Sequence, residues 1–145
     1  MLIDKELNQS LKLGEHFICE LSDCNQALLY ESERAREIFT KAIRMSGLSI
    51  VGEGFYQFSP HGFTCYLLLE ESHASLHSWP EYGYCAIDLF TCNLTLDIAP
   101  LFEELKILFE AGHSSVVKVP RYAFVEQLFQ PDSQIQRSHL KGGIL

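Results

Sequence analysis

The segment LSIVGEGFYQFSPHGFTCYLLLE, residues Leu48–Glu70, contains two apolar and aromatic runs separated by a turn. The first run covers Leu48–Phe58 and the second covers Phe63–Glu70. Both are rich in the branched and aromatic side chains that strands favour. Between them stands Ser59-Pro60-His61-Gly62, whose proline and glycine are typical of a tight turn. The segment therefore predicts a β-hairpin.

The sequence on either side of this hairpin predicts further strands and two helices. Before it, the apolar residues of Ser32–Ser46 recur at three- and four-residue spacing, and Gly47 follows as a stop. After it, Glu71–Glu81 has neither helical nor strand period and contains Pro80, so it predicts a loop or a strongly distorted strand. The other predicted elements are strands at Leu11–Leu21, Tyr82–Thr91 and Ser115–Val119, and a helix that starts at Asp97 or Pro100 and stops at Gly112.

The predicted order is strand-helix-strand-strand followed by strand-helix-strand (βαββ-βαβ). This order predicts an α+β fold, a two-layer sandwich in which helices lie on one face of a mostly antiparallel sheet. With 145 residues and no linker or composition shift, the chain is expected to be a single domain, 1–145. Its 47% hydrophobic content exceeds what one covered sheet face needs, which indicates self-association.

The composition also bears on partners and location. Eleven Lys and Arg against 19 Asp and Glu give a net charge of −8, which argues against nucleic acid or an anionic membrane as a partner. The N-terminal MLIDKELNQS lacks the features of a signal peptide, and no apolar run is long enough to span a membrane. A cytoplasmic protein that acts on a small molecule is therefore expected.

The five cysteines and the histidines show no metal or disulfide pattern. There is no CxxC, and no three histidines have metal-ligand spacing, so no metal site is predicted. Most of these residues are interpreted as structural: Cys19, Cys24, Cys65 and Cys85 as buried thiols, and His16, His73 and His113 as hydrogen-bonded side chains.

The densest cluster of reactive side chains is Glu70–Cys92, EESHASLHSWPEYGYCAIDLFTC. A serine, a histidine a few residues further on and a downstream cysteine are residue types suited to nucleophilic attack and proton transfer. The chain has no Gly-x-Ser-x-Gly elbow and no glycine-rich phosphate loop. From the residues alone, catalysis at this segment is one interpretation, and chance co-occurrence in a loop is the other.

This cluster closely resembles the signature of the prokaryotic-type S-adenosylmethionine decarboxylase proenzymes, ESHxxIHTWPExGYxxxDxFTCG. The matching stretches are Glu71-Ser72-His73, Leu76 to Tyr84 and Asp88 to Cys92. The likeness extends outward through Leu13-Gly14, His16 and the turn Phe58 to Gly62, and covers nearly everything from Leu11 to about Val119.

The resemblance implies a self-cleaving, pyruvoyl-dependent enzyme. Ser72 would attack the carbonyl of Glu71, and elimination would then leave two chains, 1–71 (beta chain) and 72–145 (alpha chain). Ser72 would become the pyruvoyl group, a covalent cofactor that forms a Schiff base with the substrate amine. The implied reaction converts S-adenosylmethionine to its decarboxylated form, the aminopropyl donor for spermidine and other polyamines. The family also implies a homodimer or higher assembly of cleaved protomers.

The resemblance assigns roles to individual residues as well. His77 would serve processing, Thr64 would assist it through its hydroxyl, and Cys92 would return a proton to the substrate carbon. Three further residues match positions near the substrate: Phe58, Trp79 and Glu81. Aromatic faces can stack on adenine and attract a sulfonium, and a carboxylate can hold ribose hydroxyls.

The sequence departs from the family at the run Gly62-Phe63-Thr64-Cys65, where Gly-Val-Ser-Gly is usual. Thr64 keeps the hydroxyl but adds a methyl group, and Cys65 replaces a glycine, so slower processing is expected. Two alternatives stay open. One is a pyruvoyl-dependent decarboxylase of arginine or ornithine, and the other is an unprocessed regulatory paralogue.

Overall fold

The computed structural model describes residues 10–124. A six-stranded sheet with the order β2-β3-β4-β5-β1-β6 dominates it. The strands are β1 (Ser10–Ser22), β2 (Ile50–Gln57), β3 (Phe63–Leu69), β4 (Ser72–Trp79), β5 (Tyr84–Thr91) and β6 (His113–Phe124). The helices are α1 (Gln26–Tyr30), α2 (Ser32–Met45), α3 (Ala99–Leu108) and a short 3-10 helix, Pro80–Tyr82.

The chain divides into two compact units. One is Gly14–Arg121, and the other consists of Met1–Leu13 and Tyr122–Leu145. Of the second unit only residues 10–13 and 122–124, the outer ends of β1 and β6, are described. The single domain over 1–145 stays a prediction, and the signal-peptide expectation falls largely on residues 1–9, outside the described part of the chain.

The predicted fold class, a mostly antiparallel sheet with helices, is confirmed. β2 pairs with β3, β3 with β4, β4 with β5 and β5 with β1, and each of these pairings is antiparallel. The predicted hairpin is β2–β3, and the predicted first helix is α2, which agrees to within a residue. Among the elements that the sequence did not predict is the short helix α1, whose Leu28 N–H donates to the Asn25 side chain at 3.2 Å.

One face of the sheet forms the core. Across four strands, Cys65 faces Leu76, Leu76 faces Ile87 and Ile87 faces Cys19, and all four side chains are buried. Buried residues of α2 and α3 belong to the same apolar cluster. The helices therefore supply the second layer of the sandwich over this row.

The prediction of a loop or distorted strand over Glu71–Glu81 is wrong. Ser72–Trp79 is a regular strand, paired on both sides with β3 and β5. Ala74, Leu76 and Ser78 alternate on its core face and are buried, whereas the residues between them are mostly polar. The alternation was therefore hidden by small and polar side chains, and Pro80 opens the 3-10 helix only after the strand has ended.

Within the described residues, no helix is long and apolar enough to cross a membrane.

Candidate active site

The turn between β3 and β4 consists of Glu70 and Glu71, since Leu69 pairs directly with Ser72. The segment before β2 holds this turn through Ser49. The Glu70 N–H donates to the Ser49 carbonyl at 2.9 Å, and the Ser49 N–H donates to the Glu71 carboxylate at 3.1 and 3.2 Å. The carbonyl and the N–H of Ser49 thus hold the two turn residues in place. We refer to Glu70, Glu71 and Ser72 as the cleavage turn.

The peptide bond between Glu71 and Ser72 has two unusual features. Its carbonyl oxygen accepts a hydrogen bond from the backbone N–H of Cys92 at 2.9 Å. Ser72 has a φ of 147°, a conformation that side-chain-bearing residues rarely adopt. Such backbone costs on the order of 1–3 kcal/mol and persists only where neighbouring contacts enforce it. The Ser72 hydroxyl lies 3.2 Å from Nδ1 of His73.

The predicted processing pair lies at the opposite end of β4. Thr64 Oγ1 and His77 Nδ1 are 2.8 Å apart, on neighbouring strands whose register places the two residues directly opposite each other. Beside them is a cavity of about 430 Å³. Its lining includes every predicted substrate-binding residue and the processing histidine: Phe58, Trp79, Glu81 and His77. We call this cavity the aromatic pocket.

A histidine that the sequence did not single out holds the predicted ribose-binding carboxylate. His61 Nε2 lies 3.1 Å from Glu81 Oε2, and the His61 ring packs edge-on against Tyr30 with centroids 5.1 Å apart. The turn that carries His61 depends on Gly62, which has φ +91° and whose Cβ would lie 2.9 Å from the Ser78 carbonyl oxygen. The signal available in the sequence was the position of His61 inside the turn that follows Phe58.

The cysteines separate sharply by exposure. Cys92 is exposed at the end of β5, whereas Cys19, Cys24, Cys65 and Cys85 are buried. Burial raises the pKa of Cys19 to about 12 and that of Cys65 to about 11. A hydrogen bond with Cys24, together with burial, raises the pKa of Cys85. Of the five thiols, only Cys92 is accessible to a substrate.

The structure does not support the reason given for slower processing at Cys65. Thr64 and Cys65 are consecutive on β3, so their side chains point to opposite faces of the sheet. Cys65 is fully buried in the core, away from the Thr64–His77 pair. Thr64 itself makes the hydroxyl contact that a serine would make. A replacement of glycine by Cys65 therefore changes core packing and not the approach to the site.

Within one chain, the predicted site residues form two groups. Ser72, Glu71 and Cys92 lie at one end of β4, and Thr64 and His77 lie at the other end with the aromatic pocket. His77 lies five positions after Ser72 along the strand, which corresponds to about 16 Å. No side chain reaches across such a distance. The structure therefore brings together the members of each group, but does not bring the two groups to one another.

The antiparallel sheet with helices on its core face defines the class of protein, an α+β two-layer sandwich. Its candidate site is a serine that follows a hydrogen-bonded carbonyl in a strained turn. Comparison with known proteins assigns the chain within this class.

Residues 15–122 match the S-adenosylmethionine decarboxylase family. The chain is 36% identical over 121 residues to the S-adenosylmethionine decarboxylase proenzyme of Thermotoga petrophila, covering 83% of this chain and 93% of that protein. It is 37% identical over 106 residues to the proenzyme of Thermosipho melanesiensis, covering 73% and 82%. The crystal structure of the adenosylmethionine decarboxylase from Aquifex aeolicus superposes with a TM-score of 0.69 at 27% identity, over 76% of this chain and 91% of that one. The chain belongs to the S-adenosylmethionine decarboxylase family, and the family inferred from the sequence is confirmed.

Proposed function

We propose that this protein cleaves itself between Glu71 and Ser72, and that the product decarboxylates S-adenosylmethionine to supply aminopropyl groups for spermidine synthesis in the cytoplasm. Family membership supports this reaction. Among the structural observations, the one that carries the proposal is the hydrogen bond from the Cys92 N–H to the carbonyl oxygen of Glu71. This carbonyl is the one that the Ser72 hydroxyl must attack.

The first chemical step is a shift of the peptide bond from amide to ester. Ser72 Oγ adds to the carbonyl carbon of Glu71, negative charge develops on the carbonyl oxygen, and the bond to the Ser72 nitrogen then breaks. The Cys92 N–H, 2.9 Å from that oxygen, stabilises the charge as a preformed oxyanion donor. The strained φ of Ser72 favours reaction further, because the rearrangement releases strain that the folded chain has already accumulated.

The second step removes the proton from Cα of Ser72 and expels the Glu71 carboxylate. A base is required, and the family resemblance gives this role to His77. Its Nδ1 lies 2.8 Å from Thr64 Oγ1. In the tautomer in which Nδ1–H donates to that oxygen, the ring is fixed and Nε2 is the nitrogen that accepts the proton. Since His77 and Ser72 of one chain lie about 16 Å apart along β4, we propose that His77 acts on the Ser72 of a second copy.

The uncovered face of the sheet supports such an assembly. Tyr66, Leu68 and Ile18 project from it and are 43, 47 and 36% exposed. Large apolar side chains exposed on one sheet face favour association with another copy. If two copies stack these faces about a two-fold axis near the middle of β4, each cleavage turn lies over the aromatic pocket of the other copy. The assembly is then a dimer with two composite sites.

The residues around Ser72 fit a pyruvoyl group, because the serine lies at the start of a strand and the exposed thiol of Cys92 directly follows the neighbouring strand. Such a group supplies an electron sink for the loss of carbon dioxide. Cys92 then donates a proton to the substrate carbon. A thiol suits this role since it holds a proton near neutral pH and yields it readily.

The aromatic pocket favours a nucleoside substrate. Phe58 and Trp79 offer exposed aromatic faces, 48 and 39% exposed, for stacking on adenine and for attraction of the sulfonium. Glu81, oriented by His61, offers carboxylate oxygens to the ribose hydroxyls. A free basic amino acid also carries a cation that can pair with this carboxylate and with an aromatic face, but it has no adenine to stack and no ribose hydroxyls to bind.

Intact mass spectrometry tests the cleavage. We expect the purified chain to convert to fragments 1–71 and 72–145, the second of which reacts with a carbonyl-specific probe. The Ser72→Ala chain should stay whole and unlabelled. A wild-type chain that stays at full mass after long incubation would contradict the proposal.

Release of labelled carbon dioxide tests the substrate. We expect release from carboxyl-labelled S-adenosylmethionine and none from arginine or ornithine. Release from either amino acid alone would keep the pyruvoyl chemistry but reject the proposed substrate. Glu81→Ala should raise KM more than it lowers kcat, because the carboxylate binds a part of the substrate that does not react.

Co-expression of two inactive chains tests the composite site. In a mixed dimer, a Ser72→Ala chain provides an intact His77 to the Ser72 of a His77→Ala chain. We therefore expect the His77→Ala chain to be cleaved in the mixture but not when expressed alone. If both chains stay whole in a demonstrated mixed dimer, His77 does not act across the interface.

A further inference from the structure

The Ser72 hydroxyl must lose a proton as it attacks, and the structure provides a group beside it that can accept one. His73 Nδ1 lies 3.2 Å from Ser72 Oγ. We propose that His73 is the base that deprotonates Ser72 in the amide-to-ester step, a role separate from that of His77. This inference rests on the proposed self-cleavage and assigns a further catalytic residue to it.

The contact between these neighbours is not what a regular strand produces. Successive side chains on a strand point to opposite faces, so a serine and the histidine that follows it normally diverge. At Ser72, the first residue of β4, the two side chains nevertheless lie within hydrogen-bond distance of each other. The φ of 147° acts on the other side of Ser72, where it sets the orientation of the hydroxyl relative to the Glu71 carbonyl.

The His73 ring is held between two aromatic rings. Tyr66 stacks on one side with centroids 5.7 Å apart and an interplanar angle of 19°, and Phe90 on the other with centroids 5.9 Å apart and an angle of 23°. Their strands flank β4 in the sheet, so the three rings form a row across it. This sandwich restricts rotation of the imidazole and keeps its edge, with Nδ1, toward Ser72.

A further histidine borders the sandwich. His16 meets His73 edge-on with centroids 6.5 Å apart, and its Nε2 lies 3.0 Å from Asp88 Oδ1. His73, His16 and Asp88 thus lie along this part of the sheet face, and the Arg121 guanidinium lies 5.4 Å from the centroid of the Phe90 ring. Only His73 contacts the reacting hydroxyl in the described structure.

His73 alone can take up and return the proton that moves in this step. The Ser72 Oγ proton moves to Nδ1 as the Oγ–C bond to Glu71 forms, and the carbonyl electron pair moves to the oxygen that faces the Cys92 N–H. When the C–N bond breaks, the imidazolium returns the proton to the departing Ser72 nitrogen. The products are an ester and a free amine, and His73 is neutral again.

The two histidines thus act at different steps and on different copies. His73 acts on the serine of its own chain to form the ester, and His77 acts on the serine of the partner copy to break it by elimination. Hydroxylamine distinguishes the two steps, because it cleaves an ester between Glu71 and Ser72 but leaves the amide intact.

His73→Asn is the sharpest variant, since the asparagine amide places an acceptor close to the Nδ1 position but cannot take up a proton at neutral pH. We expect its self-cleavage to slow by at least about 100-fold, with no fragments released by hydroxylamine. His77→Ala should also stay whole, but hydroxylamine should release its fragments. His113→Asn removes an exposed histidine outside the site and should cleave at the wild-type rate.

Two results would overturn the role of His73 and leave self-cleavage itself intact. One is a His73→Asn chain that cleaves as fast as wild type, and the other is release of its fragments by hydroxylamine, because then the ester forms without His73. Failure of the wild-type chain to cleave would instead reject the proposed function on which the inference rests.

Chemical rescue distinguishes an effect of lost packing from an effect of the lost base. His73→Ala opens a space between Tyr66 and Phe90 in which free imidazole can bind. We expect its thermal unfolding midpoint to stay close to that of Ser72→Ala and its cleavage to recover as imidazole is added. A folded His73→Ala chain that imidazole does not rescue would assign His73 a packing role and overturn the proposal.

Discussion

The two faces of strands β3, β4 and β5 differ in what their side chains do, although they share one backbone. The covered face carries buried apolar residues such as Cys65, Leu76 and Ile87. The uncovered face carries Thr64 and His77 in hydrogen-bond contact, and His73 between aromatic rings. Alternation along a strand thus separates stability from chemistry by a single residue. On β3, and on β4 after Ser72, a substitution should therefore affect one property and spare the other according to the face on which its side chain lies.

The largest expected effect is found by comparing an exposed cysteine, Cys92, with a buried one, Cys85. Cys92→Ala should lower decarboxylation by about 100-fold or more through loss of the proton donor. Cleavage should continue, because only the backbone N–H of Cys92 contacts the Glu71 carbonyl. The matched variant Cys85→Ala, on the covered face, should cleave and turn over normally. Turnover that falls equally in both variants would remove Cys92 from the mechanism.

Two consecutive leucines on β3 sharpen the comparison for stability. Leu67 is fully buried and Leu68 is 47% exposed. Leu67→Ala should lower the free energy of unfolding by about 2–5 kcal/mol, whereas Leu68→Ala should change it by less than about 0.5 kcal/mol. Both are measured by urea denaturation of the uncleaved Ser72→Ala chain at low protein concentration. At high concentration, Leu68→Ala should instead weaken dimerisation, and equal unfolding costs would contradict the assignment of the faces.

Alkaline pH tests the covered face through its thiols. Because burial raises the pKa of Cys65 from 9.0 to about 11, the unfolded chain loses this proton first as the pH rises. The contribution of Cys65 to the free energy of unfolding should therefore be constant below pH 9 and fall by up to about 3 kcal/mol between pH 9 and 11. Cys19 and Cys85 shift in the same direction and add to the fall. Cys65→Ala should make the fall smaller, and an unchanged pH profile would contradict burial of this thiol.

The smallest expected effect concerns the turn that joins β3 to β4. Glu71→Ala removes the carboxylate that Ser49 N–H holds, and should slow self-cleavage by about threefold to tenfold, as loss of roughly 1 kcal/mol predicts. Glu71→Gln keeps one acceptor and should cleave at close to the wild-type rate. The rates are read from intact mass over time. If Glu71→Gln were as slow as Glu71→Ala, the cleavage rate would depend on the negative charge of Glu71 and not on its hydrogen bonds with the Ser49 N–H.

The sequence predicted the elements whose apolar residues are regularly spaced. The β2–β3 hairpin and helix α2 were found because their patterns are continuous. Strand β4 was missed since one of its faces is lined by histidines and serines that serve the site. The same residues that carry the chemistry therefore obscure the strand that positions them.

For the site, the sequence predicted a set of reactive residues but not their distribution. Ser72 and His77 lie within one short motif, which suggests closeness, yet an extended strand places them about 16 Å apart. Only the conformation of β4 reveals that separation. His73 was interpreted as a structural residue and His61 was noted only as part of a turn, because ring stacking and ion pairing depend on neighbours that are distant in sequence.

The strand order has a consequence for the cut protein. Cleavage after Glu71 would assign β1, β2 and β3 to one fragment and β4, β5 and β6 to the other. Yet β1 lies between β5 and β6 in the sheet, and β3 lies beside β4. The strands of the two fragments are therefore interleaved in the sheet. The fragments cannot separate without breaking the hydrogen bonds between β3 and β4, between β5 and β1 and between β1 and β6. Cleavage changes the covalent connectivity and leaves the sheet intact. The two fragments should therefore copurify and separate only in denaturant.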